Sequence, residues 1–240
     1  MAPKPFLEVI PSGHGDILIM PSAIKQRPEL LPLITHIIAT WTEVEAFMAS
    51  ILATILTGHA KAAIAMFYSL SSTTYQFRLV DEAAEAQLNE QDYELFQAVY
   101  EILQNLHVQR NKLAHWRYGI CKQLPDALLL APPSHNAAQH AAMVAARRNK
   151  TPPVSISFDV KSLVVYSKRD IEELLADVTE GFNCAHDLWV VLYLGDGQVR
   201  QRLSSLPRVA AALSWLRQRR QSAAKAPRQS RKTRRRDQSQ

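Results

Sequence analysis

The chain has 240 residues, of which 47 % are hydrophobic and 21 % charged, with only 7 glycines and 13 prolines. This excludes a low-complexity or collagen-like chain and leaves room for one large folded domain or two small ones. The formal net charge is +6, but from Leu216 onward there are ten Lys or Arg against one acid, while the preceding part carries 18 basic and 21 acidic residues. The basic character therefore belongs to the C-terminal end and not to the body.

Residues 1–28 read as an N-terminal arm broken by Pro3, Pro5, Pro11 and Pro21, in which Ile17 to Met20 suits either a short strand or an arm packed on the body. No cationic segment followed by an apolar run and a cleavage site opens the chain. The longest apolar stretch, Ala46 to Gly58, is shorter than a bilayer span requires. The expectation is a cytoplasmic protein without a membrane association.

After Pro28, the apolar residues Leu30, Leu31, Ile34, Ile37, Ile38, Trp41, Val44, Met48, Ile51, Leu52 and Ile55 recur at three- and four-residue steps. That is the stripe of a long amphipathic helix, which Gly58 ends. A second helix is expected from about Ala60 to Leu88, with a kink or break near Ser71 to Thr74, where helix propensity is low. Asn89 to Asp92 reads as a turn and cap. A third helix follows from about Tyr93 to Trp116, with Leu95, Phe96, Val99, Ile102, Leu103, Leu106 and Leu113 inward.

Beyond Gly119 the pattern changes. Ala127 to Ala131 is a short apolar run before Pro132 and Pro133, residues 134–150 form an alanine-rich surface segment with weak helical character, and Val154 to Tyr166 suits two short strands. One of these could pair with the run near Leu129. Ser167 and Asp170 have capping-box spacing ahead of a helix striped by Ile171, Leu174, Val178, Phe182, Ala185, Leu188 and Leu192, and Gly195-Asp196-Gly197 stops it. A last helix runs from Pro207 to about Arg219, and disorder is expected after Gln221. The fold class is mainly α, an up-and-down bundle of four or five long helices with a small β-hairpin-like insertion. The body spans residues 29–215 with the insertion at 121–167, and a basic tail occupies residues 216–240.

One local motif argues for chemistry: Arg110-Asn111-Lys112-Leu113-Ala114-His115, near the end of the third helix. Arginine offers a planar, permanently charged fork suited to phosphate. Histidine exchanges a proton near neutral pH. Together they suffice for metal-independent cleavage of RNA, with His115 as acid or base, Arg110 stabilising charge on the phosphate oxygens and Asn111 orienting either. On a helix with Val99 at zero, Arg110 falls at about 20°, Asn111 at about 120° and His115 at about 160°. Asn111 and His115 are neighbours, whereas Arg110 extends the apolar face. Either Arg110 reaches around, or a second copy of the helix completes the site.

This motif, at the end of the third long helix of an α-helical domain, resembles the arginine-to-histidine motif of HEPN domains, in which a polar residue, often asparagine, follows the arginine. The matching positions are Arg110, Asn111 and His115, and residues 29–120 with the helix 168–194 would form the family-like core. The resemblance implies a helical bundle, a symmetric homodimer and, in many members, a metal-independent endoribonuclease of toxin or defence systems, for which an antitoxin protein would be a partner. Other members are non-catalytic interaction modules. Some carry a modified tyrosine two places after the histidine; here Arg117 holds that place and Tyr118 follows it.

Glu43 and Glu45, on the first helix, could face the motif, although solvated or capping roles account for them as well. Cys121 and Cys184 make no disulfide framework and suit buried thiols. Cys184, His186, His135 and His140 lack zinc spacing, and no phosphate-binding glycine loop or nucleophile elbow is present, so no metal or cofactor is expected. The tail suits a sequence-independent contact with nucleic-acid phosphates or a solubilising end. Three readings result: a HEPN-like homodimeric endoribonuclease, a non-catalytic HEPN-like interaction module, and an RNA-binding protein acting through its tail.

Overall fold

The computed structural model describes residues 3–13, 15–148 and 159–225. The chain is mainly α-helical with a small antiparallel sheet. Its first long helix, α2 (Leu31–Ile55), follows a single turn, α1 (Phe6–Val9), and starts with Pro32 in its first turn. Proline is preorganised for that position and gives up an N–H that would be unpaired there. Most of the expected stripe is buried, with Ile34, Ile37, Trp41, Val44, Met48, Ile51, Leu52 and Ile55 facing the core, while Leu31 is exposed and Ile38 only partly buried. By length and composition α2 could cross a bilayer, yet in the fold this apolar face packs against other helices.

The second predicted helix is two. α3 (Ala60–Ser69) and α4 (Thr73–Gln87) are separated at Leu70 to Ser72, where Leu70 and Ser72 adopt extended backbone. The Gln76 side chain donates to the Leu70 carbonyl at 3.0 Å, satisfying part of the opened turn. α5 (Glu90–His115) begins with Asn89 Oδ1 accepting from the Asp92 N–H at 3.0 Å and runs without interruption to the motif.

Among the described residues, five strands form one sheet in the order β1-β5-β4-β3-β2. They are β1 (Lys4–Pro5), β2 (Ile17–Ile19), β3 (Arg117–Cys121), β4 (Leu124–Ala131) and β5 (Val164–Ser167). The N-terminal segment, expected as an arm, thus supplies both edges: Ile17 pairs with Cys121, and Lys4 with Val165. The expected pairing near Leu129 is present, with Leu129 opposite Val165. Alternation along β4 explains its unbroken apolar run. Leu128 and Leu130 enter the helical core, while Ala127, Leu129 and Ala131 join Phe6, Leu163 and Val165 beneath the N-terminal turn. With both faces covered, polar alternation is not needed. The first of the two strands expected over Val154 to Tyr166 falls largely on residues 150–158, outside the described residues.

Between β4 and β5 lies α6 (Pro133–Arg148). α7 (Lys168–Leu194) starts with the expected capping box, in which Ser167 and Asp170 satisfy each other's backbone N–H, and stops at Gly195 in the left-handed region. Asp196 then caps a helix absent from the sequence reading, α8 (Gly197–Ser205), and α9 (Pro207–Lys225) runs past its predicted end. The rest of the expected disordered tail, residues 226–240, lies outside the described residues. Cys121 and Cys184 are free and buried, and burial pushes the Cys184 thiol up to about 12.

α5 packs on α7 and α9 and also on α2 and α4. A Cβ at Gly181 of α7 would lie 2.7 Å from Leu106 Cδ1 and 3.3 Å from Leu103 Cδ2. The contact accepts a hydrogen there but no methyl group without displacing buried leucines. Gly181→Val is expected to lower stability by about 2 kcal/mol through overpacking, read from the urea midpoint; an unchanged midpoint would mean that α5 and α7 have slack at this crossing.

Candidate functional site

The motif occupies the last turns of α5, and its residues differ in exposure. Arg110 and Asn111 are half-buried and His115 is exposed. Arg110 Nη1 donates to Asn111 Oδ1 at 3.1 Å. The guanidinium is therefore drawn from the apolar side of the helix toward the Asn111 face, which meets part of the condition set by the helical angles. Arg110 Nε is buried without an acceptor, and no carboxylate pairs with Arg110 among the described residues. A buried donor left unpaired costs on the order of 1–3 kcal/mol, and more when it belongs to a charged group. His115 has no hydrogen-bond partner among the described residues, so both of its ring nitrogens stand clear on the exposed face.

Behind the motif is a residue that the apolar reading passed over. His107 is buried, with 6 % of its surface exposed, and lies within a helical turn of both Arg110 and Asn111. Its ring forms a triangle of near-parallel rings with Trp41 of α2 and Phe77 of α4. The centroids are 5.7 Å apart for Trp41–His107, 6.0 Å for Phe77–His107 and 6.0 Å for Trp41–Phe77. His107 Nε2 lies 2.7 Å from Asn111 Nδ2. The signal for it was present in the spacing: His107, Asn111 and His115 follow at successive four-residue steps, so they line one edge of the helix.

Glu45 of α2 is an acid whose charge is felt by this group. Its Oε1 accepts from Trp41 Nε1 at 2.9 Å and from the Thr73 hydroxyl at 3.1 Å, and its charge acts on His107. Glu43 is exposed. Burial holds the His107 imidazole below its ordinary value; Arg110 and His115 push the same way, and Glu45 opposes them.

The end of the helix is anchored separately. Tyr118 of β3 donates its hydroxyl to the Leu113 carbonyl at 2.6 Å, an engagement that binds the helix end to the sheet rather than presenting the phenol for modification. Lys112 Nζ stands over the Trp116 ring, 5.6 Å from its centroid. No group of three or more His, Cys, Asp or Glu among the described residues could hold a metal ion; the side chains of His135 and His140 lie outside the described part. A cavity of about 700 Å³ lies on the Ile102, Leu106 and Gln109 side of α5, bounded also by Tyr166, Leu174 and Trp215, and none of the motif residues lines it.

No family model matches the chain, and no curated protein or solved structure matches it either.

The depressed His107 value has a consequence for stability. The unfolded chain binds a proton here at a higher pH than the folded one, so folding weakens as the pH falls below the ordinary histidine value of 6.5. Wild type is expected to lose more thermal stability between pH 7.5 and pH 5.5 (roughly spanning that titration) than His107→Phe, which keeps a ring but cannot titrate. Parallel losses in the two proteins would show that His107 is not held neutral by the fold.

Proposed function

We propose that the chain is a HEPN-like, metal-independent endoribonuclease that works as a homodimer, with Arg110, Asn111 and His115 at its site. The observation that carries this reading is the arginine. Its guanidinium has no carboxylate partner among the described residues, is tied by Nη1 to Asn111, and keeps a buried Nε without an acceptor. A phosphodiester oxygen is the kind of acceptor that such a fork recognises. Asn111 stands one turn from the exposed His115, so a phosphate held by Arg110 would have a proton-transfer group within reach.

The reaction that these groups support is internal transesterification. A histidine takes the proton from the ribose 2′-hydroxyl as its oxygen attacks phosphorus. The bond to the 5′-oxygen breaks, that oxygen takes up a proton, and a 2′,3′-cyclic phosphate remains. Base and acid are two roles at one phosphate. A dimer with its motif helices facing each other supplies one His115 for each role and two arginines for the charge on the non-bridging oxygens. A toxin or defence setting, with an antitoxin as partner, comes from the HEPN resemblance.

The tail supports a second reading. Residues 226–240 hold six Lys or Arg and one acid, enough for a salt-sensitive, sequence-independent contact with RNA. Removing everything after Lys225 is expected to weaken RNA binding and flatten its dependence on salt. Unchanged affinity and slope would take the tail out of RNA binding altogether.

For the main reading, labelled RNA is incubated in EDTA with wild type, His115→Ala or Arg110→Ala. Wild type is expected to cleave it to cyclic-phosphate ends, and each variant to be slower by about a hundredfold or more. No cleavage by wild type, or equal cleavage by all three, removes the catalytic reading and leaves the non-catalytic interaction module. Sedimentation of wild type as a stable monomer would remove the shared site.

A further inference from the structure

We infer that His107 is a positioning residue, which as the neutral, Nδ1-protonated tautomer fixes the Asn111 amide and through it the Arg110 guanidinium. The inference follows from which atoms can donate. A guanidinium has only donors, so the Asn111 atom 3.1 Å from Arg110 Nη1 must be the carbonyl oxygen. The other end of the amide is then NH₂, and it faces His107 Nε2 at 2.7 Å. An NH₂ group has no lone pair to give to an imidazole N–H, so Nε2 must be the acceptor. The ring proton of His107 is therefore on Nδ1, and the ring is uncharged. The relay runs in one direction: Arg110 donates to Asn111, and Asn111 donates to His107.

Each member has only one arrangement that keeps both bonds. A proton on Nε2 would set an N–H against the amide NH₂. Asn111 would have to turn its amide over, which would present NH₂ to Arg110 and cancel the bond that draws the guanidinium around the helix. The surroundings oppose that proton. The ring lies against Trp41 and Phe77. Arg110 and His115 act on it from α5, and among the described residues Glu45 of α2 is the acid that acts on it; α4 contributes Phe77 and, beside Glu45, the Thr73 hydroxyl. The stacking also stops the ring from turning, so Nε2 keeps pointing at residue 111. The exposed His115 has no such clamp, which fits a group that must meet substrate. The motif accordingly extends one turn toward the N-terminus, to His107, Arg110, Asn111 and His115.

The catalytic consequence rests on the ribonuclease reading, but the tautomer does not, and two measurements keep them apart. The first is ¹⁵N NMR of histidine-labelled full-length protein. At neutral pH the His107 ring is expected to show an unprotonated Nε2 and a protonated Nδ1. An Nε2–H tautomer or a charged ring would overturn the inference, whatever the activity. The second compares His107→Gln, which puts a carbonyl acceptor near the place of Nε2, with His107→Phe, which keeps the ring stack and removes the acceptor. In RNA cleavage, kcat is expected to fall by about tenfold in His107→Phe, the size of one lost hydrogen bond, with little change in KM. His107→Gln is expected to retain most of kcat even where it melts earlier than His107→Phe. A merely structural histidine would give the reverse order, with activity following melting temperature, and that outcome would overturn the positioning role. If wild type cleaves no RNA, the proposed function fails by itself, and the NMR result still decides the tautomer.

Discussion

Three rings hold the motif in place. Trp41, Phe77 and His107 come from three different helices, α2, α4 and α5, and meet at centroid distances close to 6 Å. Each aromatic pair contributes about 0.5–1.5 kcal/mol beyond the area it buries. Their larger effect is geometric. The triangle fixes the rotation of α5 about its own axis, because the 107 side chain cannot leave the stack without opening the core. Once His107 is fixed, Arg110, Asn111 and His115 have fixed azimuths as well, since a helix is rigid over two turns. On the adjoining part of the buried face, Gly181 lets α7 approach closely enough for Leu103 and Leu106 to pack against its backbone. α5 is therefore held by a polar-edged aromatic contact and a tight aliphatic one beside it.

The sheet completes this anchoring at the helix end. The last turn of α5 passes directly into β3, and the Tyr118 hydroxyl returns to the Leu113 carbonyl. β3 is held between β4 and the N-terminal β2, and Arg27, just before α2, donates to the carbonyls of Ala127 and Leu124 on β4, each at 3.3 Å. Segments far apart in sequence thus converge on the point where the motif ends. A carbonyl in the last turn of a helix lacks an intrahelical partner, and here a side chain from the adjoining strand supplies one. The exposed His115 stands on a well-anchored turn.

The long helices could be read from the sequence because a stripe such as Ile34, Ile37, Trp41, Val44 and Met48 is periodic over many turns, and the capping box at Ser167 and Asp170 is a local signal. Where structure depends on distant partners, the signal weakens. β1 and β2 have two and three residues and owe their existence to pairing with Val165 and Cys121. α8 is short and has only Leu203 buried, too little for a stripe. Arg217, counted with the basic tail, belongs to the body: it holds Glu94 of α5 at 2.8 Å, and Arg219 lies over the Trp215 ring. For the motif, Arg110, Asn111 and His115 could be picked out by residue type. His107 could not, because a histidine within an apolar pattern reads as a core neighbour until the ring partners and the asparagine are seen together.

The charges along α5 bear on what the motif is for. Its N-terminal half carries Glu90, Asp92 and Glu94, and its last turns carry Arg110, Lys112 and His115. The helix dipole accounts for much of this, since acids at the start and bases at the end are each stabilised by a few tenths of a kcal/mol to about 1 kcal/mol. It also accounts for Lys112 and His115 without any function, because both lie in the last turn. Arg110 is different. The dipole effect fades beyond that turn, and the guanidinium is half-buried where desolvation works against a charge. Other arginines of the fold have found acids: Arg200 pairs with Asp92, Arg202 with Asp187 and Arg208 with Asp177. Arg110 instead spends one N–H on a neutral amide whose orientation is set by a buried histidine. Stability alone would favour a carboxylate at that place or a shorter side chain. An arginine held at a fixed angle beside neutral groups keeps its full charge available to an incoming anion, and a carboxylate partner would cancel it.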